Sequence, residues 1–227
     1  MPHFSFVRKH TPSKSFRTQS VIDKFDLSDE NHTITFSGNI DLPANWQIGL
    51  IVGASGTGKT TIARELFGDN YVTEFNYSNN SVIDDMPANK SVNEICSVFS
   101  SVGFSSPPCW VKPYHVLSNG QKMRIDLANA ILAENKMFVF DEFTSVVDRQ
   151  VAQVSSYAVQ KAIRKSDKQF IAISCHYDVE DWLLPDWVFD TNLMEFRLAG
   201  KKKDRRSECR LNVSTKATGR VLANIII

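Results

Sequence analysis

The stretch Gly53-Ala54-Ser55-Gly56-Thr57-Gly58-Lys59-Thr60 limits this chain more than any other, because it fits the pattern G-x-x-x-x-G-K-[ST]. That pattern needs a strand before it and a helix after it. Upstream, Trp46-Gln47-Ile48-Gly49-Leu50-Ile51-Val52 is an apolar run long enough for one buried strand. Downstream, Lys59-Thr60-Thr61-Ile62-Ala63-Arg64-Glu65-Leu66-Phe67 opens a helix that Gly68 can end. Glycines let the backbone wrap a phosphate with its N–H groups, and the helix N-terminus adds the positive end of its dipole. Lys59 then reaches the β- and γ-phosphates, and the Thr60 hydroxyl can ligate Mg²⁺. A plain glycine-rich turn is the alternative, and both flanks weigh against it. The stretch predicts a nucleotide-phosphate site.

Composition narrows the setting. The 227 residues can bury one substantial core, and 42% hydrophobic with 22% charged residues is ordinary for a globular chain. A net charge of +1 offers no global attraction to nucleic acid or an anionic membrane. Cys96, Cys109, Cys175 and Cys209 form no C-x-x-C pair, so reduced thiols are expected, not zinc or a disulfide framework. No apolar run approaches the ~18 residues of a membrane span, and Met1 to Ser5 lacks a signal-peptide pattern. A cytoplasmic location is expected.

Residues 1–18 read as a basic lead-in, either a solvated arm or a small phosphate-contacting patch. Residues 19–198 read as one domain, and 199–227 as a basic linker and tail. Val21 to Leu27, Thr33 to Phe36 and Ile40 to Leu42 alternate like strands, which predicts a small antiparallel unit before the loop. Tyr71 to Phe75 reads as a further strand, and 76–87 as a polar, turn-rich segment. Ser91 and Glu94 form a capping box for a helix ending near Gly103, and Pro107-Pro108 predicts an irregular connection. Two long helices, about 118–134 and 147–165, flank Met137-Phe138-Val139-Phe140. That run and Phe170 to Ile173 are apolar throughout, as parallel strands covered on both faces are. Trp187 to Asp190 and Leu193 to Arg197 read as a closing hairpin. An α/β fold with a mainly parallel sheet flanked by helices follows.

Two further stretches carry chemistry. Phe140-Asp141-Glu142 puts two carboxylates at the C-terminal end of a parallel strand, where open α/β sheets bind ligands. Asp141 suits Mg²⁺, and Glu142 can polarise an attacking water. Leu117-Ser118-Asn119-Gly120-Gln121 opens a long helix with a hydroxyl and free N–H groups, a candidate anion site. His176 follows the second apolar strand.

Taken in this order and spacing, the set resembles the P-loop ATPase domain of ATP-binding-cassette (ABC) proteins, from about Val21 to Arg197. Their signature reads Leu-Ser-Gly-Gly-Gln just before the second acidic motif. Ser145-Val146-Val147-Asp148 resembles the family's D-loop, and Ser174-Cys175-His176 its switch histidine. The resemblance implies a head-to-tail homodimer around two ATP molecules. Ser118, Asn119, Gly120 and Gln121 of one copy would touch the γ-phosphate held by Gly53 to Thr61 of the other. Asp148 would lie at the dimer interface. His176 and Glu142 would hold the water, and Thr60 with Asp141 the Mg²⁺. The adenine-stacking aromatic of the family would be Phe25, with His32 behind it, although a core-facing Phe25 is an equal reading.

The sequence departs from the family in three places. Asn119 replaces a glycine, and Asn tolerates the left-handed region better than other non-glycine residues. No glutamine occurs between Gln47 and Gln121, so the Q-loop lacks its namesake, with Asp84 or Asp85 as the stand-in. The interval from Thr60 to Leu117 is short, which implies a helical subdomain reduced to little more than Ser91 to Gly103. The last two departures weigh against a transporter subunit and favour a soluble ATPase that drives a partner or fused domain. The tail is similar to the point where soluble cassettes are fused to an acetyltransferase-like domain. The alternatives are the nucleotide-binding subunit of a membrane transporter, and a non-hydrolysing ATP-gated interaction module.

Overall fold

The computed structural model describes residues 3–26, 32–72 and 75–199. The tail expected at 199–227, beyond Ala199, lies outside them, as do Leu27 and Cys209.

The chain folds around a five-stranded sheet whose middle strand is β3 (Ile48–Val52). On one side lie β5 (Gln169–Ser174) and β4 (Met137–Phe140); on the other lie β6 (Trp187–Asp190) and β7 (Glu195–Leu198). The first four strands run parallel, and β7 returns antiparallel to β6. Every residue of β3 is buried, so its side chains divide between two cores. Ile48, Leu50 and Val52 point into one, with residues of α5 (Asn119–Leu132), α6 (Arg149–Arg164) and α7 (Val179–Leu183). Ile51 points into the other, with Ile62, Ala63 and Phe67 of α2 (Lys59–Phe67). Gly49 shares that second face and has no room for a side chain. A Cβ there would stand 2.1 Å from the Trp187 ring, which is wholly buried.

A third cluster sits outside α5. Ile95 and Phe99 of α3 (Val92–Ser101) pack there with Val82, Phe104, Ile125 and Leu132. The Ser91–Glu94 capping box forms as expected, with both reciprocal hydrogen bonds present. This is the reduced helical subdomain, extended by the four-residue α4 (Pro107–Trp110). The expected irregular connection is therefore partly helical, since proline is tolerated in a first helical turn.

The N-terminal region differs most from expectation. The lead-in is no solvated arm: His3–His10 is strand β1, paired antiparallel over its whole length with β2 (His32–Asn39). Phe4 and Phe36 are buried and reach the second core, where Phe4 meets Phe189 edge to face at 5.8 Å. The strand expected from Val21 is instead helix α1 (Phe16–Phe25). Ser15 caps it by accepting from the Thr18 N–H at 3.2 Å, and that local bond outweighs a brief alternation. Residues 40–42 form no strand, although Ile40 is buried. At Tyr71 to Phe75 only a bridge to Val139 forms, carried by Val72 N–H to Val139 C=O at 2.9 Å; residues 73–74 lie outside the described set. β4 is not covered on both faces throughout, because Met137 and Phe140 stay partly exposed.

One carboxylate fastens the base of the sheet. Asp186 accepts from the Gln47 and Ile48 N–H groups at 2.7 and 3.0 Å and from Arg164 at 2.8 and 2.9 Å. Burial would raise its pKa, but these donors outweigh burial and hold the carboxyl below its ordinary value. That contribution to stability is present above the unfolded-state value of about 3.9 and is lost as pH falls through the folded one. Asp186→Ala leaves two strand-end N–H groups without their acceptor. It should cost about 2 kcal/mol by urea denaturation at pH 7, and visibly less at pH 3.

Candidate nucleotide site

The site forms where β3, β4 and β5 end. The loop from Gly53 closes on one carbonyl: Ala54 C=O accepts from Lys59 Nζ at 2.7 Å and from Thr57 Oγ1 at 2.9 Å. Gly58 sits at φ +88°, and a Cβ there would come within 2.2 Å of the Phe36 ring. Only glycine meets both demands. Unlike α3, α5 and α6, helix α2 has no side-chain cap, so its first N–H groups keep their capacity for an anion.

The acidic strand meets this helix directly. Thr60 Oγ1 donates to Asp141 Oδ2 at 2.9 Å, and the Tyr71 hydroxyl donates to the same oxygen. Asp141 Oδ1 accepts from the Glu142 N–H at 2.8 Å. A hydroxyl beside a carboxylate, both short of full burial, is the oxygen donor set that Mg²⁺ takes, so these residues fit the ion. Glu142 has φ +51° and an exposed side chain at the cleft. Phe143 fixes this turn from below, its N–H donating to Ile173 C=O at 2.8 Å. His176 follows β5, with its own N–H on Ser174 Oγ at 3.2 Å. Burial lowers its pKa below 6.5, the Arg149 charge lowers it further, and Glu142 opposes both. At neutral pH the imidazole is therefore uncharged.

The signature residues are satisfied within the single chain. Ser118 caps α5 and accepts from the Gln121 N–H at 3.4 Å, while Gln121 accepts from the Ser118 N–H at 3.0 Å and donates to Cys109 Sγ. Asn119 is the first residue of α5 and has no positive φ, so the left-handed tolerance of Asn is not needed there. Gly120 packs on Val151 and Val147 at the start of α6, which Asp148 caps by accepting from the Gln150 and Val151 N–H groups. Phe25 stands 64% exposed on α1; the aromatic ring that the structure sets against the loop is Phe36.

Asp84 and Asp85 do not reach Asp141. They brace their own turn, accepting from the Ser81 hydroxyl and the Ser78 N–H. The cleft beside Asp141, about 450 Å³, is lined by aromatic residues instead. In it Tyr77 and Tyr114 stack at 3.9 Å, and both hydroxyls donate to Asp126, whose pKa burial raises. A second cleft, about 300 Å³, joins Asn119 to Asp141 and Glu142. Sequence reasoning missed this tyrosine set, which carries no motif. It also missed Thr191 and Asn192, which brace the loop through Thr57 Oγ1 at 2.5 Å and the Ala54 N–H at 3.1 Å. Among the described residues, no cluster of His, Cys, Asp and Glu could hold a metal by itself.

Loop, sheet order and acidic strand together define the P-loop NTPase fold in its ATP-binding-cassette form. Relatives and solved structures similar to the chain agree. The chain is 26% identical over 196 residues to the lactococcin-G-processing and transport ATP-binding protein LagD of Lactococcus lactis, covering 64% of this chain and 28% of that one. It is 25% identical over 179 residues to the energy-coupling factor transporter ATP-binding protein EcfA1 of Staphylococcus aureus, covering 63% and 66%. Among solved structures, cbiO1 from Clostridium perfringens, part of an ABC transporter complex, superposes with a TM-score of 0.56 at 18% identity, covering 78% and 87%. The dimeric bacterial ABC transporter cassette MJ0796 gives 0.55 at 11% identity, covering 82% and 94%. No protein-family model matches the chain. An ABC-type nucleotide-binding domain is what these similarities support; a relation to cassettes fused to an acetyltransferase-like domain finds no support among them.

The lowered His176 pKa is directly measurable. By NMR, the imidazole should titrate below 6.5 in the wild type. Arg149→Gln should move it upward, since removing a nearby positive charge favours imidazolium. No upward movement would show that Arg149 does not act on it.

Proposed function

We propose that this chain is an ABC-type ATPase that binds Mg-ATP, closes on a second copy and hydrolyses the γ-phosphate. The observation that carries this reading is the Thr60–Asp141 contact, which joins the phosphate loop to the acidic strand beside an uncapped helix start. Lys59 would exchange the Ala54 carbonyl for phosphate oxygens, and the first N–H groups of α2 would take the others. Thr60 and Asp141 would hold Mg²⁺, which supplies positive charge against the oxygens of the transferring group. Glu142 would accept a proton from the attacking water as its oxygen bonds to phosphorus and the bridging bond to ADP breaks. Neutral His176 would donate a hydrogen bond to the γ-phosphate.

A second copy enters this reading through the resemblance of the signature and through the dimeric cassette MJ0796 among the similar structures. On closure, Ser118, Asn119, Gly120 and Gln121 would face the partner's phosphate loop, and Asp148 would lie between the two sites. The work of closure would then pass to a client. The transport roles that LagD and EcfA1 are named for support a transport complex better than a soluble cassette driving a fused domain. No helix among the described residues is long and apolar enough to cross a membrane, and in a transport complex the spans would lie outside these residues. Co-purification of a polytopic membrane protein with the tagged chain is the test of that client; a soluble partner alone would favour the other.

Lys59→Ala should abolish the rise in melting temperature that Mg-ATP gives the wild type. An equal rise in both would remove the loop from the nucleotide site. Glu142→Gln should lower turnover by about two orders of magnitude or more while keeping ATP affinity within about tenfold. With ATP it should form a dimer visible by light scattering, which Ser118→Arg abolishes. A monomer in both at saturating Mg-ATP would count against the sandwich, and full turnover in Glu142→Gln against the assigned base.

A further inference from the structure

Asp141 is held by a group that the phosphate loop does not supply. Its Oδ2 accepts from two hydroxyls, Thr60 Oγ1 and Tyr71, and its Oδ1 accepts from the Glu142 N–H. A carboxylate has about four lone-pair sites, so one is left open, on Oδ1. Tyr71 is itself fixed from both sides of the site. Its N–H donates to Gly68 C=O at the end of α2, its backbone bridges to Val139 in β4, and the Arg64 guanidinium lies 4.4 Å over its ring. The residue therefore ties the phosphate helix to the acidic strand at the carboxylate where they meet.

We infer that Tyr71 is a positioning residue for the metal: its hydroxyl locks the orientation of Asp141 so that the carboxylate is aimed before Mg-ATP arrives. This rests on the assignment of Asp141 and Thr60 as the Mg²⁺ residues. A threonine hydroxyl can keep its proton on a carboxylate while offering a lone pair to a cation. During that exchange Thr60 must adjust, and Tyr71 is the donor to Oδ2 that need not move. Without it, the Glu142 N–H alone would hold the Asp141 side chain while Thr60 adjusts, and ordering the carboxylate would cost free energy when the metal binds.

The test is Tyr71→Phe, which deletes the hydroxyl and keeps the ring under Arg64. ATP affinity is measured by calorimetry on the full chain, once in EDTA and once in saturating Mg²⁺, and the ratio of the two affinities is compared with the wild type. Loss of one hydrogen bond to a charged group should lower that ratio by about tenfold, with the EDTA affinity unchanged within about twofold. The Mn²⁺ concentration that half-saturates the ATP complex, read from the free-ion spin resonance signal, should rise by a similar factor. A merely structural role would lower the ligand-free melting temperature or both affinities together, leaving the ratio intact, and that result overturns the proposal. A wild type whose ATP affinity ignores Mg²⁺ would instead defeat the metal assignment of Thr60 and Asp141 itself, a separate and recognisable failure.

Discussion

The contact between Thr60 and Asp141 depends on the registers that set β3 and β4 against β5, and the rest of the molecule is arranged to secure them. β3 and β4 do not touch; β5 separates them, with Ile48 level with Phe170 and Phe138 level with the same residue. A slip of one residue at either pairing would turn every side chain of a strand to the opposite face. It would exchange the Leu50 and Ile51 faces between cores of different shape, and would drive Gly49 away from the indole that needs its space. Burial on both sides of the sheet is thus what sets the register, and the register sets the chemistry.

The parts legible in the sequence were those whose physics is local. A glycine pattern, a capping box, a carboxylate pair after four apolar residues and a histidine after an apolar strand each declare themselves within a few positions. The parts that were not legible are long-range. Nothing near His3 to His10 reveals that the strand's partner lies at 32–39, because an isolated antiparallel pair is stabilised only by the surface it covers. Nothing near Phe36 reveals that it lies on Gly58. Helix α1 could have been found, since Ser15 and Thr18 form a local cap, but three alternating positions from Val21 suggested otherwise.

The aromatic cleft shows a different limit. Tyr71, Tyr77, Tyr114 and Asp126 are ordinary residues at unremarkable spacings, and they become a set only when β4 and α5 bring them together. Asp84 and Asp85, the polar candidates that the sequence offers nearby, brace their own turn. The structure places phenols on two carboxylates, Tyr71 on Asp141 and Tyr77 with Tyr114 on Asp126; phenols are rigid, have a single polar atom each and bring apolar area to the site.

The bracing of the phosphate loop by Thr191 and Asn192 bears on how this chain emerges from synthesis. The Ala54 N–H and the Thr57 hydroxyl find their partners 138 and 134 positions later, and the clamp on the Gln47 and Ile48 N–H groups comes from Asp186. A growing chain that has passed the loop, both long helices and β5 still lacks β6, the strand that seals the other flank of β3. Domains built on such distant pairings gain their cooperativity late. Until β6 and the turn after it are made, a nascent chain lacks the groups that brace its glycine loop, so the loop gains these partners only when Thr191 and Asn192 are in place.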